Sequence, residues 1–265
     1  MAYSIALPVF AFTGYAVATI LFMQHFFKHQ HLKTNIVLVS ALIGLIFHAT
    51  VAVQSIWTEH TLDFSLANVV ILVSLIITLM SSLLALRNPL SLILPITYAF
   101  AAILLMVMFV LPMDQALIVE SGQFVLTLHI ILILAAYCIL VMATLYAFQV
   151  AYINGKLKKK DIASIESLPP IMLFEKQLLG IIIIGVVLLM SALLVGFIFF
   201  DDLFSSAHIH KTTLSLIALA GYLVILWGQL TRGWRGAKLF MMLLTSTSIL
   251  SLAYFGSRLI REYIL

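Results

Sequence analysis

Apolar residues run through this chain in long, charge-free stretches, broken by short polar segments. The stretches fall at about 4–26, 35–57, 65–86, 89–112, 122–152, 177–200, 211–231 and 239–262. A hydrocarbon core of about 30 Å is crossed by about 20 helical residues, so each stretch is long enough to span a bilayer. The strands of a membrane β-barrel would be shorter and would alternate in polarity. The pattern therefore predicts an all-α, polytopic membrane helix bundle of about eight transmembrane helices, with residues 1–265 forming a single transmembrane domain. The only sizeable loop expected, 153–176, contains Pro169-Pro170 and is too short to be a domain. Pro95, inside the fourth stretch, predicts a kink there.

Composition agrees with that pattern. Of 265 residues, 64% are hydrophobic and 9% charged, against about 25% charged in an ordinary soluble domain. The basic residues segregate when eight spans are drawn. Lys28, Lys33, Arg87, Lys156, Lys158, Lys159, Lys160, Lys176, Arg232, Arg235 and Lys238 share one side, 11 of the 14 in the chain. Lys211, Arg258 and Arg261 lie on the other, with Glu59, Asp63, Asp114, Glu120, Asp201, Asp202 and Glu262. Short basic loops stay in the cytoplasm, so both termini are expected outside, which is periplasmic for a bacterial inner membrane. No basic residue precedes the first stretch and Lys28 follows it, as in an uncleaved first span. The net charge of +4 is thus a topology signal and not a nucleic-acid footprint. The run Lys156–Lys160 reads as an anchor at the end of a span before it reads as a lipid-binding patch.

The chemistry available is sparse. Cys138 stands alone, so there is no CxxC or CxxCH motif, no thiol–disulfide exchanger and no covalent haem carrier. It is expected to be a packing residue. There is no nucleotide-binding glycine loop, no HExxH and no G-x-S-x-G, and no catalytic role is expected. Only His48 and His129 are ionisable groups well inside a span, a placement that by default suggests function. His48 lies about 13 Å, and His129 about 10 Å, below the outer interface at about 1.5 Å per residue. Two imidazoles at matching depth suit the two axial positions of one haem iron. An ordinary helix–helix hydrogen bond, worth about 1 kcal/mol in model peptides, accounts for a buried histidine equally well. Gly44, one turn from His48, would leave room for a flat macrocycle, and Arg258 and Arg261 share a helix face from which they would reach propionates. His60, His208 and His210 are expected at the outer surface. His25, His29 and His31 form a solvated cluster beside Lys28 and Lys33.

Three segments carry a family resemblance. TLHIILILAAYCILVMATLYAFQVAY (127–152), HKTTLSLIALAGYLVILWGQLTRGWRGAK (210–238) and SLAYFGSRLI (251–260) resemble the membrane core of the cytochrome c assembly (CcsA-type) proteins. With the eight-span layout, they are similar to its short, YpjD/HemX-type inner-membrane branch. The resemblance covers nearly the whole chain, and its more specific parts are the GWRG turn and the AYFGSR segment. It implies haem handling, with His129 at the position of a periplasmic-side haem ligand. It also implies a tryptophan-rich loop that cradles haem between the sixth and seventh spans, but 201–213 here is DDLFSSAHIHKTT, without tryptophan. Where longer members place a second membrane histidine near the end of the seventh span, this chain has Trp227. The last family histidine would fall beyond Leu265. These departures argue against synthetase activity.

The function expected is a non-enzymatic, haem-binding inner-membrane protein of cytochrome c assembly or haem homeostasis. Non-covalent haem b would be held by His48 and His129 as metal ligands, with Arg258 and Arg261 on the propionates and His210 in reserve. The expected partners are the lipid bilayer, haem, and proteins of cytochrome c maturation or haem synthesis. A small-molecule permease, or a scaffold of a haem-related complex using the basic loop 153–176, are the alternatives from other classes.

Overall fold

The computed structural model describes residues 6–28, 34–58, 61–85, 93–110, 118–120, 123–160, 171–200, 205 and 209–256. Eight helices carry the apolar stretches: α1 (Ala6–Lys28), α2 (Thr34–Ile56), α3 (Leu66–Ala85), α4 (Ile93–Val110), α5 (Phe124–Lys158), α6 (Ile171–Phe199), α7 (Ile209–Arg232) and α8 (Gly236–Ser251). Seven are long and apolar enough to cross a membrane, and α4 is a shorter apolar helix. A single π-turn (Leu252–Gly256) continues α8.

The ends of these helices correct two expectations. The 153–176 loop is far shorter than its charges suggest, because α5 runs on to Lys158 and α6 begins at Ile171. Leaving the bilayer does not end a helix, and lysine and leucine are good helix formers. The chain leaves α5 at Lys160, which takes a left-handed φ of 57° while its N–H caps the Leu157 carbonyl at 3.0 Å. Pro95 stands near the start of the described helix and not in its interior. It occupies the third position of α4, in the first turn, where a missing N–H breaks no helical bond.

Short strands lie between the helices: β1 (Trp57–Thr58), β2 (Thr61–Asp63) and β3 (Ile118–Glu120). They pair antiparallel in that order, with Leu62 opposite both Trp57 and Val119. Asn68 fastens this ribbon to the helices beside it, donating to the carbonyls of Ser55 (3.0 Å) and Asp63 (3.2 Å). Asp63 accepts the Ser65 N–H at 2.8 Å.

The chain forms two compact units, residues 1–122 and 123–265, each with the same ring of contacts. In unit 1, α1 packs on α2 and α4, and α3 closes the ring between them; in unit 2, α5 packs on α6 and α8, and α7 closes it. The α1–α2 seam brings backbones together: a Cβ on Gly14 would sit 2.6 Å from the Gly44 nitrogen and 2.7 Å from the Ser40 oxygen. Small residues at a crossing permit that approach, which is how helices associate where no hydrophobic force acts between them. In unit 2, Thr247 of α8 bonds Thr144 of α5 (2.6 Å) and Tyr222 of α7 (2.8 Å). Tyr146 donates to the Gln177 side chain of α6 at 2.6 Å.

Candidate functional site

His48 sits eight residues before the end of α2 and is fully buried, 0% exposed. Its Nε2 lies 3.1 Å from the Ile71 carbonyl of α3. A carbonyl only accepts, so Nε2 carries the proton and Nδ1 is left as an acceptor. The Tyr15 hydroxyl of α1 fills that role, donating to Nδ1 at 3.1 Å. Ser74 approaches Nε2 at 3.4 Å but gives its own proton to the Ile71 carbonyl at 2.9 Å. Both imidazole nitrogens are therefore engaged, and the ring joins α1, α2 and α3.

The Tyr15 ring also takes the space expected for a macrocycle. A Cβ on Gly44 would meet Tyr15 ring carbons at 2.8 and 3.0 Å. The vacancy beside Gly44 is thus filled by a neighbouring helix, which corrects the expectation of room for a porphyrin. Tyr15 in turn stacks on Tyr98 of α4, centroids 5.6 Å apart and 11° from parallel, and Tyr98 shares a 2.9 Å hydrogen bond with Ser82.

His129, in the second turn of α5, is arranged differently. It is half-buried, and its Nδ1 donates to the Ala192 carbonyl of α6 at 2.9 Å. That bond fixes the Nδ1–H tautomer and leaves the Nε2 lone pair for another partner. A backbone carbonyl on one nitrogen is the usual way to orient a histidine whose other nitrogen binds metal. Phe200, just past α6, sets its ring edge-on to the imidazole at 5.3 Å.

The remaining sequence candidates divide. His210 is exposed in the first turn of α7, as expected of a surface histidine. Arg258 and Arg261 lie outside the described residues, as do His29, His31, His60 and His208. His48 belongs to unit 1 and His129 to unit 2. Among the described residues no three His, Cys, Asp or Glu side chains cluster as a metal site. Cys138 is fully buried, where a packing residue belongs. Trp227 is 50% exposed, and its ring carries the Arg232 guanidinium at 4.5 Å.

Tyr15 and Ala192 escaped sequence reasoning. A tyrosine in an apolar span gives no sign of which imidazole it meets, and a backbone carbonyl gives none at all.

The GWRG segment forms a tight turn between α7 and α8. Gly233 and Gly236 both have φ of +62°, a conformation costly for any residue with a Cβ. Trp234 folds back so that its ring covers Gly228, where a Cβ would collide with it; the Trp234 backbone N–H reaches the Gly228 carbonyl at 3.2 Å. Arg235 pairs with Glu175 of α6 at 3.3 Å, and the Lys238 ammonium lies 3.8 Å from the Trp234 ring centroid.

The family model for the cytochrome C assembly protein matches residues 43–265. Inner membrane protein YpjD of Escherichia coli K12 is 36% identical over 263 residues, covering 97% of this chain and 100% of the relative. The proteins of that name from E. coli O6:H1 and O157:H7 match to the same extent. No solved structure matches the chain.

Proposed function

The chain belongs to the cytochrome C assembly protein family, and from that premise we propose that it is a non-enzymatic, haem-binding protein of a bacterial inner membrane. Family membership supports a role in cytochrome c assembly or haem handling. The observation that carries the haem reading is the bond from His129 Nδ1 to the Ala192 carbonyl. It holds a neutral imidazole in the tautomer whose Nε2 can bind metal, while Phe200 restrains the ring. The group bound would be non-covalent haem b, whose iron takes such a nitrogen as an axial ligand. Arg258 and Arg261 are the proposed partners of its propionates, and His210 is the reserve ligand. Both nitrogens of His48 are taken, by Tyr15 and the Ile71 carbonyl, so His129 is the ligand assigned. The test is the absorption spectrum of the protein purified in detergent from haem-replete cells. A Soret band in stoichiometric yield is expected, and a colourless protein that also fails to take up added haem would end this reading.

The relatives are named inner membrane proteins, and the 11 of 14 basic residues on one side support placing both termini in the periplasm. A reporter active only in the cytoplasm, fused after Leu265, should be silent. The same reporter inserted at 161–170 should be active, and the reverse result would invert the topology.

A further inference from the structure

We propose that the basic end of unit 2 binds anionic phospholipid headgroups, with Arg232 and Lys238 at the α7–α8 turn as the principal contacts and Lys156 of α5 beside them.

The first argument is position. The apolar surface of α7 ends at Arg232, with Trp227 and Leu230 (66% exposed) just before it, and exposed Met241 follows on α8. The cations therefore stand where a lipid-facing surface stops, which is headgroup level. The second is the way they are held. Arg232 lies over Trp227 at 4.5 Å, Lys238 over Trp234 at 3.8 Å and Lys156 over Tyr152 at 5.8 Å. A ring face steadies a cation by its quadrupole without cancelling its charge. Arg235 is different: Glu175 neutralises it, and it acts as a clip between the turn and α6.

The platform is also built to stay in place. Two left-handed glycines set the turn, Trp234 is seated on Gly228, and a Cβ on Gly236 would lie 3.3 Å from the Asn154 side chain of α5. Asn154 is two residues before Lys156, so the end of α5 belongs to the same platform. Among the described residues of unit 2, the basic side chains at this end outnumber the one carboxylate, Glu175. Positive residues on the retained side of a membrane serve topology wherever they fall. Cations fixed on rings around a rigid turn exceed what topology needs, and basic groups of this kind at helix ends recognise phosphate-bearing lipid heads.

The test uses the full chain in vesicles of phosphatidylcholine with a trace of spin-labelled phosphatidylglycerol or spin-labelled phosphatidylcholine. Anionic label should be enriched in the motionally restricted shell, by about fivefold for each cation engaged. Arg232→Gln with Lys238→Gln should bring the ratio close to that of phosphatidylcholine, while Arg232→Lys should keep most of the enrichment. The triple change Lys158→Gln, Lys159→Gln, Lys160→Gln should alter it little. No enrichment in the wild type, or an equal loss in the triple variant, would overturn the proposal, the latter because diffuse charge would then suffice. If Arg232→Gln with Lys238→Gln misfolds on size exclusion, Trp227→Leu, which removes only the ring under Arg232, should still lower the enrichment. An unchanged ratio in that variant would also overturn it.

Discussion

Replacing His129 by alanine is expected to abolish the haem spectrum of the purified protein. The Nδ1–H bond to Ala192 orients an imidazole that alanine cannot replace, and iron then loses an axial nitrogen. Losing a mere outer-shell partner lowers metal affinity by about 10–100-fold, so haem retention through purification should fall by at least that order. Imidazole added to the alanine variant should enter the vacated space and restore the Soret band, a recovery that a purely structural role would not give. Should His129→Ala keep the wild-type spectrum while His210→Ala loses it, the ligand is His210. If neither changes the spectrum, His129 is an ordinary link between α5 and α6.

A second large effect is expected at His48, in stability before spectrum. Alanine there would take away the acceptor of the Tyr15 hydroxyl and the ring's bond to the Ile71 carbonyl, which keeps Ser74. Each buried polar group left without a partner costs about 1–3 kcal/mol. The melting temperature of His48→Ala in detergent should therefore fall by several degrees. Glutamine offers an oxygen to accept from Tyr15 and an amide to donate to Ile71, so His48→Gln should recover most of the loss. Tyr15→Phe should fall between the two, since it removes one bond and keeps the stack on Tyr98. His48→Gln should also keep the wild-type haem spectrum, since His48 is not assigned to the iron. A His48→Ala protein as stable as wild type would show that the three-helix junction contributes nothing.

The eight helices were legible because an apolar run of membrane length has few other uses. Their ends were less so. Charge marks where a chain leaves the bilayer, but α5 continues through Gly155 and Lys156 to Lys158, because nothing in those residues stops a helix. The β1–β3 ribbon had no signature: its strands are two or three residues long, and β3 meets β2 across more than fifty residues of chain. Sequence position singled out His48 and His129 as ionisable groups inside the spans, yet gave no hint that one is enclosed by Tyr15 and Ile71 while the other keeps a nitrogen open. Gly44 misled for a related reason. A glycine records that something comes close to the backbone, and here the visitor is the ring of Tyr15.

The ring of contacts in each unit also bears on how the protein is made. α1 packs on α4 as well as on α2, so unit 1 stays incomplete until its fourth helix has left the ribosome. About 80 residues separate the end of α1 from the end of α4, roughly 4–16 s of synthesis at about 5–20 residues per second. Through that interval Tyr15 has no Tyr98 to stack on, and the face of α1 destined for α4 must rest against lipid or the insertion machinery. Unit 2 repeats the delay, with α5 waiting for α8. Each half of the protein thus closes on its last-made helix, and a ribosome that stalls before α4 or α8 releases an open bundle for membrane quality control to find.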